Sequence, residues 1–193
     1  MSVHQLRSTI CCLMFLIMLP VPLQAAPNPH WYPSFISSQY HAWTETDFRQ
    51  SSQWFDCAEN ETPLFCSDEV VIHRTPMYGT VAFDGQQKPI LKLNSEFSLV
   101  YFNELQLGLR SDGFQLIKIE IKGHMFDITQ QLTTQSATEV DKQVQQFIQG
   151  YRATDPRVLY WQSLDQQYSV LWQSDKTAIQ LIYTQGDTQF DAH

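Results

Sequence analysis

Basic side chains are scarce in this chain: 12 Lys and Arg stand against 20 Asp and Glu over 193 residues, a formal net charge of −8. Nucleic acid and anionic lipid both demand clustered Lys and Arg, so neither is an expected partner. The acidic residues are scattered as well, without a block of like charge that would read as a disordered tail. Glycine is sparse, at 7 residues placed mainly at turns, and no glycine-rich loop exists to cradle a phosphate. No G-x-S-x-G elbow and no S-x-x-K box is present to position a serine nucleophile. The zinc pattern H-E-x-x-H is missing. No catalytic residue, metal or cofactor is therefore expected.

Cysteine is also rare, and two of the 4 lie in a short apolar run, Ile10 to Leu19. Arg7 precedes that run, and Pro20, Pro22 and Leu23-Gln24-Ala25-Ala26 follow it. A charged start, a short apolar centre and a small-residue exit are the layout of a secretory signal peptide, residues 1–25. A membrane is a partner only if this leader stays uncleaved as an anchor. Cleavage removes Arg7 and no acid, moving the net charge from −8 to −9. The chain is expected to be exported, to a periplasm or the medium. Of the cysteines, Cys57 and Cys66 then remain, and a pair in an exported domain reads first as a disulfide. They are too far apart for a redox C-x-x-C. A zinc site would need two more ligands, and His73 is the only histidine close downstream.

What is present is a single α+β domain over 26–193. Residues 26–43 form an arm dense in rings (Trp31, Tyr32, Phe35, Tyr40) that is expected to dock on the body. Thr44 and Asp47 open a short helix from about Glu45 to Phe55. Strands follow at Val70-Val71-Ile72 and Tyr78–Phe83, separated by Pro76, then at Ile90–Leu93 and Phe97–Phe102. Leu105, Leu107 and Leu109 alternate with Gln106, Gly108 and Arg110, which predicts a further strand. Ser111-Asp112-Gly113 turns it into Ile117–Ile121, and Gly123 turns the chain again into Met125–Ile128. Ser136-Ala137-Thr138-Glu139 is a capping box, and Val140, Val144, Phe147, Ile148 and Tyr151 make one helical stripe behind it. Val158–Trp161, Tyr168–Trp172 and Ile179–Tyr183 form a second meander, with 186–193 a loose tail. The fold expected is a strongly curved, mainly antiparallel sheet, or a partly closed barrel, of about eight strands flanked by two helices.

Chemistry-bearing residues are few. His124 and Asp127, three apart on a strand, point to opposite faces and cannot share a site unless the chain bends at Gly123. His73 is expected at a solvated rim, and His30 and His41 lie in the arm at no ligand spacing. Glu104, Glu120 and Asp127 are the acids from which a hydrolytic carboxylate pair would be drawn. The richest feature is aromatic: Trp161, Tyr168, Trp172 and Tyr183 fall on strands and are the expected ligand-binding residues if the sheet encloses space. The function expected is an exported, non-enzymatic module that binds a protein partner or a small apolar ligand, as an accessory, sensor or inhibitor subunit. A small exported hydrolase with a carboxylate-based site and a secreted toxin or effector are the competing readings.

Overall fold

The computed structural model describes residues 28–186; the expected leader and all but Gly186 of the expected tail lie outside the described residues. A 3-10 turn, Tyr32–Phe35, opens the described chain, with Pro33 fixing its first turn. The elements that follow are α1 (Glu45–Gln50), β1 (Phe55–Asp56), β2 (Leu64–Ile72), β3 (Thr75–Phe83), β4 (Pro89–Glu96) and α2 (Leu99–Ser111). Next come β5 (Phe114–Ile121), β6 (His124–Asp127), α3 (Ile128–Leu132), α4 (Ala137–Gln149), β7 (Arg157–Ser163), β8 (Tyr168–Ser174) and β9 (Ala178–Gln185). One antiparallel sheet of nine strands holds them in the order β1-β2-β3-β4-β9-β8-β7-β5-β6. It is open, with β1 and β6 at its edges, rather than closed into a barrel of eight. Among the described residues four α-helices accompany it, two more than the sequence suggests.

The largest correction concerns the stretch from Phe97 to Arg110, expected as two strands. It is mostly the single helix α2, with Ser98 as N-cap accepting from the Tyr101 N–H at 3.0 Å. Phe102, Leu105, Gly108 and Leu109 are buried, whereas Leu107 is 64% exposed. A strand would bury Leu105, Leu107 and Leu109 together; a helix buries the first and third and turns Leu107 outward. Three smaller corrections apply. The first helix stops at Gln50, and Phe55, expected as its last residue, is instead on β1 and 51% exposed. Pro76 lies within β3, and the break between β2 and β3 falls instead at His73-Arg74. Ile128 begins α3 rather than ending a strand, because Asp127 caps a helix there. Elsewhere the elements stand where the residues point. Thr44 and Asp47 make a full capping box, and Ser136 accepts from the Glu139 N–H at 3.3 Å.

Cross-strand register shows which face is core. Phe126, Ile119, Leu159, Trp172, Leu181 and Leu93 lie opposite one another in a single row across the sheet, and partners in a row share a face. Phe102 of α2 meets Trp172 at 5.1 Å and Phe147 of α4 meets Phe126 at 5.6 Å. Phe48 of α1 stacks on Phe65, one residue pair along on the same side. The arm joins this layer: Trp31, Tyr32 and Phe35 are buried, with Trp31 packed edge-on against Trp54 at 5.0 Å. The helices and the arm therefore cover one face only. The other face carries the rows Lys118-Tyr160-Leu171-Ile182-Lys92-Thr80 and Glu120-Val158-Gln173-Gln180-Asn94-Tyr78-Glu69, and no residue in either is fully buried.

Cys57 and Cys66 are joined, with Cα atoms 5.9 Å apart, at the β1 edge of the sheet. Their separation of 9 residues closes a short loop, so the cross-link removes about 2.5–3 kcal/mol of chain entropy from the unfolded state. The paired substitution Cys57→Ser/Cys66→Ser is expected to lower unfolding stability by that amount. Urea titration checks it, and a midpoint equal to that of the oxidised protein would contradict it.

Candidate functional site

Four segments far apart in the chain bring their polar groups to one buried spot. Tyr32 comes from the arm, His73 from the β2–β3 turn, Asp112 from the C-cap of α2 and Tyr183 from the middle of β9. Asp112 Oδ2 accepts from the Tyr32 hydroxyl at 2.7 Å and from His73 Nε2 at 2.8 Å. The Tyr32 hydroxyl also lies 3.1 Å from the Tyr183 hydroxyl. Tyr32 has one proton and spends it on the carboxylate, so Tyr183 donates to Tyr32, and the donor chain ends on Asp112. The His73 backbone N–H donates to Asn28 Oδ1 at 3.0 Å. The His73 and Asp112 side chains are only 11% and 13% exposed.

Local structure explains how a histidine reaches this place. His73 and Arg74 form a two-residue hairpin with φ of 46° and 62°, left-handed values without a glycine to ease them. Such positions persist when surrounding contacts over-determine them. Here His73 is held by Asp112 and Tyr32, while Arg74 reaches Glu104 at 3.6 Å. Gly108 of α2 completes the fit, because a Cβ there would sit 2.0 Å from Cγ of the His73 ring. The helix axis can approach the turn only at a residue with no side chain.

His73 is therefore no solvated rim histidine, and the sequence reading missed both the residue and its partner. The signal was the pair of glycine-free turn positions after Ile72 and an aspartate at a helix end; neither announces the other across 39 residues. The arrangement is an acid–histidine pair whose bonds are spent inward. Asp112 Oδ2 is shared between two donors, and the imidazole lies against the α2 backbone at Gly108, so the cluster joins four segments. Burial raises the Tyr183 and Tyr32 phenols well above their ordinary value, with the charge of Asp112 adding to the effect. A phenol whose folded pKa is raised keeps its full stabilisation below its unfolded pKa near 10. Above that pH the unfolded chain loses protons that the folded one retains, and stability falls by about 1.4 kcal/mol per pH unit per group. Tyr183→Phe is expected to lose stability more gently than the parent between pH 10 and 11; superimposable pH curves from urea unfolding would contradict this.

The other sequence-predicted residues are dispersed. Trp161, Tyr168, Trp172 and Tyr183 are 0%, 2%, 0% and 0% exposed, all on the covered face of β7, β8 and β9. His124 stacks on Tyr151 at 6.0 Å, whereas Asp127 caps α3 through the Gln130 N–H and lies 4.0 Å from Lys118. Glu104 faces Arg74, and Glu120 lies on the uncovered face. His30 packs on Trp43, and His41 pairs with Asp47 at 3.4 Å.

The uncovered face is the remaining feature. A cleft of about 410 Å3 opens there at one end of the strands, lined by Asn94, Glu120, Val158, Gln173 and Gln180 among others. Gln180 donates to Asn94 at 2.8 Å within it. Toward β2 the same face carries Val71 and Tyr78, 37% and 57% exposed. Among the described residues no helix is long and apolar enough to cross a membrane. No family model matches the chain, nor does any curated protein or solved structure.

Proposed function

We propose that the chain is an exported, non-enzymatic module that binds a protein partner on the uncovered side of its sheet. The observation that carries this reading is the one-sided layering: a sheet of nine strands carries α1, α2 and α4 on one face, and among the described residues no helix covers the other. That face mixes apolar side chains (Leu171, Ile182, Val71, Tyr78) with amides and charges of both signs. Such a mixture is typical of partner surfaces, in which rings anchor and polar groups orient. The Cys57–Cys66 disulfide is compatible with an oxidising, exported location.

A photo-crosslinking residue placed at Tyr78, Val71 or Leu171 in the native host tests the reading. One discrete protein adduct is expected from these positions and none from Lys142 or Gln146 on the outer side of α4. Adducts from no sheet position, or the same adducts from α4, would overturn it. Native mass spectrometry of the same preparation addresses the second occupant, a small apolar ligand held by Trp161, Tyr168, Trp172 and Tyr183. That occupant requires a packed core to part, and it would appear as a mass carried by the protein alone.

A further inference from the structure

The partner surface has an open edge. β1 lies against only Phe65 and Cys66, whereas β2 continues to Ile72. A bulge between Cys66 and Glu69 ends the pairing with β1. Beyond it the outer side of β2 has no strand beside it among the described residues. The register shows which backbone groups face outward. Ile72 and Thr75 flank the two-residue turn as a hydrogen-bonded pair, so Val71–Pro76 and Glu69–Tyr78 are the alternate, non-bonded pairs. In those pairs the N–H and C=O of the β2 residue point away from β3. Pro76 has no N–H to offer, and opposite Val71 the ladder needs none. His73, next on the outward side, gives its N–H to Asn28. Glu69 and Val71 give theirs to no group among the described residues.

A free strand edge accepts another strand, and the side chains beside it select which one. Asp68 and Glu69 stand exposed at the bulge. The charge of Glu69, followed by those of Glu96 and Asp68, holds the Tyr78 phenol above its ordinary pKa, so three carboxylates act on one place. A second copy of the chain would bring Asp68 and Glu69 against their own kind, a repulsive arrangement. Resting on the partner reading above, we propose that the β2 edge from Asp68 to Ile72 accepts an extended, basic segment of the partner as an added strand. Lys or Arg at alternate positions of that segment, on the uncovered face, meets Glu69 and Glu96 beside Val71 and Tyr78, with Asp68 close by at the bulge. The residues between them turn to the opposite face.

A capped peptide of alternating Lys and Val, titrated into the full chain labelled with 15N, tests this. Amide shifts confined to 68–72, with slowed exchange at Glu69 and Val71, are expected, and a peptide with Glu in place of Lys is expected not to bind. Val71→Pro removes an outward N–H while sparing the ladder to β3, and should weaken the basic peptide about tenfold with an unchanged melting temperature. Asp68→Lys/Glu69→Lys should reverse the preference toward the acidic peptide. The inference is overturned if Val71→Pro binds as the parent does, if the shifts map elsewhere, or if the acidic peptide binds equally. It is also overturned if the parent sediments as a dimer that Val71→Pro dissociates, for the edge then serves a second copy. Crosslinks from Tyr78 to a partner that persist in Val71→Pro would remove the added strand and leave the partner reading standing.

Discussion

Gly108→Ala is expected to destabilise the protein by about 3 kcal/mol, at the upper end for one added methyl group. In an ordinary helix interior the same change is favourable by up to about 1 kcal/mol, because alanine loses less backbone entropy than glycine. The sign reverses here because the new Cβ would lie 2.0 Å from Cγ and 2.3 Å from Cδ2 of His73. The ring cannot swing aside. Its Nε2 is held by Asp112 and Tyr32, and its backbone by a left-handed turn and by Asn28. The check is a double-mutant cycle in urea. In a His73→Ala background, Gly108→Ala should become neutral or stabilising, giving a coupling energy of about 3 kcal/mol or more. Equal losses in both backgrounds would show that the close approach of α2 to the turn is not what requires the glycine.

Trp172→Ala should cost about 3–5 kcal/mol and lower the melting temperature by about 10 °C or more. Trp172 is fully buried in the middle of the sheet, between Leu159 and Leu181, with Phe102 of α2 across its ring at 5.1 Å. Removing the indole takes away its transfer energy and leaves a cavity that neighbours on three strands and a helix cannot all collapse into. Trp172→Phe should lose much less. It keeps a ring against Phe102 and discards an indole N–H that has no partner among the described residues. Differential scanning calorimetry separates the two. A loss under about 1 kcal/mol for the alanine variant would mean that this part of the core is loosely packed. It would also favour a small apolar ligand between these rings over a partner on the outer face.

Much of the fold was readable from local pattern. The strands from Ile90 to Leu93 and from Val158 onward show period-two or continuous apolar runs between turn residues, and they stand where expected. The helix behind Ser136 and the capping box at Thr44 were equally plain, since caps act within one turn of the chain. The stretch before Ser111 was misread because its leucines satisfy two periods at once. Leu105 and Leu109 fit a strand and a helix alike, and only Leu107 tells them apart, through what lies opposite it. Two signals favoured the helix: Ser98 as a cap, and Phe102, Leu105 and Leu109 at helical spacing with no β-branched residue after Val100. The polar cluster had no comparable signal. Tyr32 and Tyr183 are 151 residues apart, and hydrogen bonding between side chains so distant follows no spacing rule.

By itself, the sequence determined the cysteine pair, the sheet-rich body and most element positions, because each rests on composition or on neighbours a few residues apart. Tertiary structure alone decided that α2 is a helix, that His73 is buried beneath Gly108, and that among the described residues the sheet is open, with one face and one edge uncovered. Those outcomes depend on which side chain another segment places opposite a given residue. Local periodicity cannot encode that choice when an apolar residue fits either the core or the surface.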